Sequence, residues 1–248
     1  MLIIVTVLAG LAYPLLVTGA GVALFPHQAE GSLLYRNGKL VGSSLIGQTF
    51  SDAKGDPLAR YFQPRPSAAG SGYDPTASGA SNLSPSSPLL VGFIPGVTTY
   101  RRDGSVAPTN PFATPEDPRC VPTDPAGNPI DVVDPPAGQR FAREADGSFV
   151  CDPNTIPERA LSYRTFNGLP ASAAVPIDAV TASGSGLDPD ISVANALDQV
   201  RRVAHARHES VSHIQALVHL YTHRRQLGFL GESAVNVVEL NLALDEGR

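Results

Sequence analysis

Between Leu2 and Phe25 the chain reads LIIVTVLAGLAYPLLVTGAGVALF, without one charged side chain. Charges are so costly in hydrocarbon that a run of this kind constrains the fold more than any other feature. At about 1.5 Å per residue such a helix reaches roughly 36 Å, against a bilayer core of about 30 Å. Residues 1–26 are therefore predicted to form a membrane anchor. A cleaved signal would show an apolar core of about 7–15 residues, basic residues before it and a small-residue cleavage site after it. This run fits none of those features, and the only cysteines, Cys120 and Cys151, lie too far downstream for a lipid-attachment motif. Pro14 removes a donor in mid-span and leaves a carbonyl for neighbours to satisfy. Gly19, Gly21 and Ala23 offer a small-residue surface on which another helix can approach closely. Those four residues predict lateral packing of the anchor against a second membrane helix.

Charge narrows the partners of the remaining chain. The net charge is −5 and Lys39 and Lys54 are the only lysines, so neither a nucleic-acid footprint nor a polybasic surface patch is expected. Orientation receives two opposing signals. Arg36 and Lys39 follow the span and nothing basic precedes it, which by the positive-inside rule favours a cytoplasmic C-terminus. Cys120 and Cys151, in a Pro-rich region, read instead as a disulfide in an oxidising compartment, worth about 3–4 kcal/mol in the chain-entropy picture. The cysteines decide the reading: a cytoplasmic N-terminus, a single pass, and an extracytoplasmic body over residues 27–248. A short basic leader ahead of Met1 is expected with that orientation.

The predicted fold is α+β, a single transmembrane helix followed by one mixed domain. Residues 31–50 read as two strands around Asn37-Gly38, because a type I′ turn needs positive φ at both positions. Residues 61–88 carry no helical or strand period, yet Tyr61, Phe62, Tyr73 and Leu83 suggest an ordered loop wrapped on a core. Residues 93–170 hold 13 of the 23 prolines. At that density neither ladders nor helices are expected, and the stretch reads as a disulfide-stapled insertion in which Phe141, Phe149, Tyr163 and Phe166 can be buried. Ser192 is a predicted N-cap for a helix to about Arg207, burying Ala196, Val200, Val203 and Ala204. Ser210 is predicted to cap a second, to about Gln226, burying Ile214, Leu217, Val218 and Tyr221 and stopped by Gly228. Residues 235–242 read as a strand.

Motifs for chemistry are sparse. His219 and His223 are four apart on the predicted second helix, but no Glu follows His219 and the other histidines complete no ligand set, so no metal site is expected. No phosphate-binding G-x-x-x-x-G-K-[ST] occurs, nor Asp-Lys-Thr-Gly, nor a G-x-S-x-G elbow, since Ser183 takes the first glycine position. Thr181–Asp188 (TASGSGLD) reads either as a set of N–H groups and hydroxyls for an anion or partner, or as a tight turn leading into the helix.

Several blocks together carry a specific likeness: Phe25-Pro26-His27-Gln28, GSSLIGQTF at 42–50, YFQPRPSA at 61–68, SGASNLSP at 78–85, VPIDAVTASGSGLDPDIS at 175–192, and LGFLGESAVNVVELNLALD at 227–245. In this order they resemble the C subunit of Kdp-type high-affinity potassium-transporting ATPases, the KdpC family. Within them Ala80 and Ser84 stand where the family usually has Gly, Asp190 where it has His and Val193 where it has Pro. The resemblance implies a non-catalytic, membrane-anchored subunit of a potassium import complex in the cell membrane. Its implied partners are a channel-like potassium-binding subunit, a P-type ATP-hydrolysing subunit, a small membrane peptide and membrane lipid. It implies no firmly bound cofactor, potassium as the transported ion, and ATP acting through the complex, the family having been described as a catalytic chaperone for the P-type subunit. Gln48, Arg65, Ser67 and Asn82 are the expected partner or loop-organising residues. Ser78, Gly79, Ser81 and Asn82 resemble the signature loop of ABC transporters and are the candidates for nucleotide contact. Two other readings stand beside it: an anchored extracytoplasmic ligand-binding protein acting alone, and a nucleotide-binding regulator with a cytoplasmic body.

Overall fold

The computed structural model describes residues 1–83, 90, 100–101, 103, 105, 119–126, 130, 141–152 and 154–247. Much of the Pro-rich segment 93–170 therefore lies outside the described residues, as do Ser84 and Pro85 of the 78–85 block.

The apolar run is one helical rod in three parts, α1 (Leu2–Val7), a π-helical turn (Leu8–Ala12) and α2 (Tyr13–Leu24). The wide turn sits directly ahead of Pro14, whose ring collides with the carbonyl four residues back in a regular helix. The rod spans Leu2–Leu24, is apolar and long enough to cross a membrane, and none of its apolar window is buried against the body. After a short helix, α3 (Pro26–Ala29), the hairpin forms as expected from β1 (Leu33–Arg36) and β2 (Lys39–Ser43). Asn37 at φ 51 and Gly38 at φ 75 both lie in the left-handed region that the tight turn demands.

The body is built on helices. Those after the Pro-rich segment are α4 (Ile156–Asn167), α5 (Val193–Arg207), α6 (Val211–Leu220) and α7 (Val237–Glu246). A small antiparallel sheet, in the order β5 (Asp190–Ser192), β7 (Ala234–Asn236), β6 (Thr222–His223), joins them. A second, two-stranded pairing links β3 (Tyr100–Arg101) to β4 (Arg119–Cys120). One core gathers Ala196, Val200, Val203 and Ala204 of α5, Ile214, Leu217 and Val218 of α6, and Val237, Leu240 and Leu244 of α7 around Phe62. Phe62 is fully buried although it belongs to no helix or strand, so the segment from Tyr61 to Leu83 is the wrapped loop that its aromatics suggest. Tyr221 is half-buried against the same core.

Three expectations are corrected. The helix capped by Ser210 ends at Leu220, not near Gln226, because Thr222 and His223 pair with β7 and Thr222 Oγ1 donates to the Val218 carbonyl at 2.7 Å. Gly228 instead turns a small loop closed by Gln226 and Leu230. Residues 235–242 are strand only as far as Asn236, whose side chain accepts from Glu239 N and starts α7. The burial of Val237, Val238, Leu240, Asn241, Ala243 and Leu244 follows the helical period. Prolines also fail to exclude helix in the Pro-rich stretch. Pro157 occupies the first turn of α4, where its missing N–H costs nothing, and Gly168 at φ 64 closes the other end.

Around Cys151 a satellite cluster forms, with Phe141 and Phe149 edge-on at 5.2 Å and Arg143 over the Phe149 ring. Cys151 is buried, disulfide-bonded, and bridged along the backbone to Pro122. Tyr163 and Phe166 face α5 instead: Tyr163 Oη donates to Asn195 Oδ1 at 3.0 Å, and the Arg202 guanidinium lies 4.3 Å from the Phe166 ring centre.

Candidate functional site

The blocks that carry the family likeness converge in space. The extended chain 61–65 is gripped by buried amides from two helices. Asn241 of α7 accepts from Phe62 N and donates to Phe62 O, both at 2.9 Å. Gln199 of α5 does the same for Gln63, accepting at 2.7 Å and donating at 3.0 Å. The two side chains stand in for neighbouring strands, so the backbone needs no sheet. Arg202, one turn on, donates to Tyr61 O at 2.9 Å and to Asn167 Oδ1 at 2.8 Å, and burial pushes its guanidinium down to about 10.

Held this way, the chain presents Arg65 and Ser67 to the TASGSGLD loop. Arg65 pairs with Asp188 at 3.1 Å. Tyr73 lies beneath the pair, its hydroxyl 3.0 Å from Arg65 O and 3.2 Å from Asp188 O. Burial raises the Tyr73 pKa, with the Asp188 charge adding to the effect, so the ring stays a neutral donor. Ser67 Oγ donates to Gly186 O at 2.6 Å and accepts from Ala69 N and Tyr73 N. Ser78 Oγ and Gly79 N both donate to Ser185 O, at 2.9 and 3.0 Å. Gly47 N donates to Leu187 O at 2.8 Å. The 42–50, 61–68, 78–85 and 175–192 blocks thus meet on one loop.

Two glycines are required for that meeting. A methyl group at Gly47 would lie 2.9 Å from the Asp188 carbonyl oxygen and run into the Tyr73 ring. Gly186 has φ 68, and a methyl there would stand 2.8 Å from both Ala69 N and Gly79 O. The loop's own groups are turned inward too: Ser183 Oγ accepts from Gly186 N and Ser185 Oγ from Leu187 N. The tight-turn reading of Thr181–Asp188 describes it better than an anion cradle does.

Of the residues singled out from sequence, Arg65, Ser67, Ser78 and Gly79 sit together on this loop. Gln48 lies apart, donating through Nε2 to Val41 O at 2.9 Å and bracing the hairpin. Ser81 accepts from Leu83 N, and Asn82 is exposed at φ 56. Pro14, Gly19, Gly21 and Ala23 all lie within α2, with open space around Gly19 and Gly21. His219 and His223 do not share a helix face, because His223 is on β6 and contacts Glu239 at 3.4 Å. Sequence reasoning missed Tyr73, Gly47 and Asp188 as organisers. The available signal was an Arg and an Asp of opposite charge in two separate matching blocks.

Comparison with known proteins accounts for this convergence. The model of the family described as KdpC, K+-transporting ATPase, c chain, matches residues 1–117 and 153–246. The unmatched residues 118–152 lie inside the Pro-rich stretch. A potassium-transporting ATPase KdpC subunit of Mycobacterium tuberculosis is 40% identical over 245 residues, covering 99% of this chain and 94% of the relative. Proteins of the same name from Acidobacterium capsulatum and Rhodospirillum rubrum are 38% and 39% identical, over 98% and 97% of this chain and 93% and 89% of their own. With membrane helix, hairpin and loop cluster all inside the matched pattern, the chain belongs to the KdpC family of potassium-transporting ATPase subunits.

Proposed function

We infer that the chain serves as a non-catalytic, membrane-anchored subunit of an ATP-driven potassium import complex, and that its work is to hold the assembly together. The observation that carries this reading is the near-full-length match to KdpC subunits, running through both the anchor and the folded body. The geometry is in keeping with it, since the polar groups of the matching blocks bind one another, as a rigid binding scaffold requires. Its partners are then the channel-like potassium-binding subunit, the P-type ATP-hydrolysing subunit and a small membrane peptide, with Pro14, Gly19, Gly21 and Ala23 facing a neighbouring helix in the bilayer. Potassium is the cargo of the complex, and ATP acts through the P-type subunit. The body lies outside the cytoplasm, where Cys151 and Cys120 form the disulfide. Ser81 and Asn82, exposed and next in the chain after the Ser78 and Gly79 contacts to Ser185, are the part of the loop cluster left for a partner.

The test is co-purification of the full chain in detergent with the channel-like and P-type subunits, followed by potassium-stimulated ATP hydrolysis with and without it. Joint purification and a loss of stimulated hydrolysis on its removal are expected. A chain that purifies alone, or hydrolysis indifferent to it, overturns the reading. Topology is read separately by maleimide labelling of intact cells: no labelling without reductant, and labelling after a membrane-impermeant reductant, are expected for an outer disulfide.

A further inference from the structure

The membrane helix is joined to the body without a free linker. Past Leu24, Ala29 N donates to Phe25 O, Glu30 N to Pro26 O, Gly31 N to Gln28 O and Ser32 N to His27 O, all at 2.9–3.1 Å. The hairpin ladder then continues one step beyond its strands, where Ser44 N donates to Ser32 O at 3.0 Å. Ser43 Oγ ties the same place to Gly31 O at 2.7 Å. Because β2 runs antiparallel to β1, residues beyond Ser43 head back towards the point from which β1 set out. Leu45 and Ile46 therefore sit at the membrane end of the hairpin, level with Gly31, and not at the Asn37-Gly38 tip.

At that end the chain makes a tight turn, with Leu45 N on Ser43 Oγ at 3.1 Å and Ile46 N on Ser43 O at 3.4 Å. The turn leaves Leu45 62% and Ile46 40% exposed, and Phe25 at the head of α3 is 59% exposed. What sets these three apart from other exposed apolar residues of the body is their place, at the one end of the hairpin that is hydrogen-bonded to the exit of the membrane helix. The span ends at Leu24, and His27, whose carbonyl anchors Ser32, follows three residues later, at most roughly 11 Å away even if that chain were extended. The polar layer of a bilayer leaflet is roughly 5–8 Å deep.

We propose that the turn Ser43–Gly47 is a lipid contact: Leu45 and Ile46, with Phe25, enter the boundary between headgroups and acyl chains of the leaflet in which the helix ends. The occupant is lipid because Ser43 and Ser44 hold the turn by hydrogen bonds to Gly31 and Ser32, a few residues past the end of the span. With the joint hydrogen-bonded throughout, this contact fixes the body's tilt on the membrane, and the body rests on the bilayer instead of swinging from its helix. The inference depends on the membrane span alone, not on the potassium-transport reading, and holds for either orientation.

The chain contains no tryptophan, so Leu45→Trp in the full-length protein creates a single emitter. The variant is reconstituted in phosphatidylcholine–phosphatidylglycerol vesicles, alone and within the purified complex, with and without lipid brominated along its acyl chains, and in the complex its emission is taken as the difference from the same complex carrying the wild-type chain. Blue-shifted emission that brominated lipid largely extinguishes is expected in both settings. Ile177→Trp, at a residue 63% exposed elsewhere on the body, should stay red-shifted and unquenched. If Leu45→Trp does not fold, Ile46→Trp reports on the same turn. Water-exposed, unquenched emission overturns the proposal. So does emission in the complex that is blue-shifted yet untouched by bromine, since a protein would then cover the turn. A chain that joins no complex leaves the vesicle result to decide this proposal, while the functional reading fails on its own.

Discussion

Replacing Asn241 with Leu should cost the body about 2–6 kcal/mol, although the substitution keeps the side-chain size nearly unchanged. Asn241 is 1% exposed and Phe62 is fully buried, so no water can take over from the amide. The change strips both hydrogen bonds from the Phe62 backbone, leaving a buried N–H and a buried C=O unpaired at about 1–3 kcal/mol each. For a body of this size, each kcal/mol lowers the melting temperature by roughly 2–4 °C, so a fall of roughly 4–24 °C is expected. Thermal unfolding of the full chain in detergent, followed by circular dichroism, measures it. Asn241→Asp separates the two bonds: a carboxylate still accepts from Phe62 N but faces Phe62 O as a second acceptor, so it too should destabilise. A shift under about 2 °C for Asn241→Leu would show that this clamp does not hold the 61–68 segment, and the account of how Arg65 and Ser67 are positioned would fall with it.

Gly47→Ala should destabilise by about 1–3 kcal/mol, because the new methyl meets the Asp188 carbonyl at 2.9 Å and that backbone cannot swing aside as a side chain would. Chemical unfolding that left the midpoint unchanged would refute the close packing of hairpin and loop. Asp190→Asn should do the reverse and stabilise at neutral pH, since Asp190 Oδ1 is buried without a partner and burial, then the Asp188 charge, raises its carboxyl pKa. A raised native pKa means that the wild type loses stability as pH climbs from the unfolded aspartate value of about 4 through the native one. The advantage of Asn should therefore appear across that window, persist above it and vanish below about pH 4. Melting curves of both chains against pH that run parallel throughout would refute it. Arg65→Ala leaves Asp188 without its ion pair, and should weaken retention of the chain on its partner subunits at high salt while leaving membrane insertion intact. Unaltered co-purification would assign the pair to folding alone.

Local signals were legible in the sequence, and long-range ones were not. Asn37-Gly38 and the serine caps at 192 and 210 announce themselves because each satisfies its own backbone within a few residues. The anchor is legible because hydrocarbon permits little else. By contrast, VNVVELNL is compatible with a strand until Asn236 is seen to cap a helix, a role fixed by the sheet on its other side. The early stop of α6 depends on β7 capturing Thr222 and His223 from a distant part of the chain. At the loop cluster, Arg65 and Asp188 are 123 residues apart, and long-range contacts such as the amides of Gln199 and Asn241 on the 61–65 backbone and Ser67 on Gly186 bring them together. In sequence those two amides look like flaws in apolar helix faces.

Those apparent flaws bear on what the chain does. A body meant to react would aim ionisable groups at a cleft; here Arg65, Asp188, Ser67, Tyr73, Gln199 and Asn241 are spent on fixing loops against one another. Among the apolar side chains that the described residues of the body turn outward are Leu40 and Tyr35 on the hairpin, and Leu227 and Phe229 on the loop between β6 and β7. Rigidity acquired before association lowers the entropy lost on binding, so a surface of this kind gains affinity from its internal hydrogen bonds without offering any of them to a partner. A subunit that acts by favouring an assembled state needs only that difference in binding free energy between assembled and separate forms. Loosening the clamp at Asn241 should on this reasoning weaken assembly before it unfolds the chain, because the order of the 61–68 segment is what the partner would otherwise have to supply.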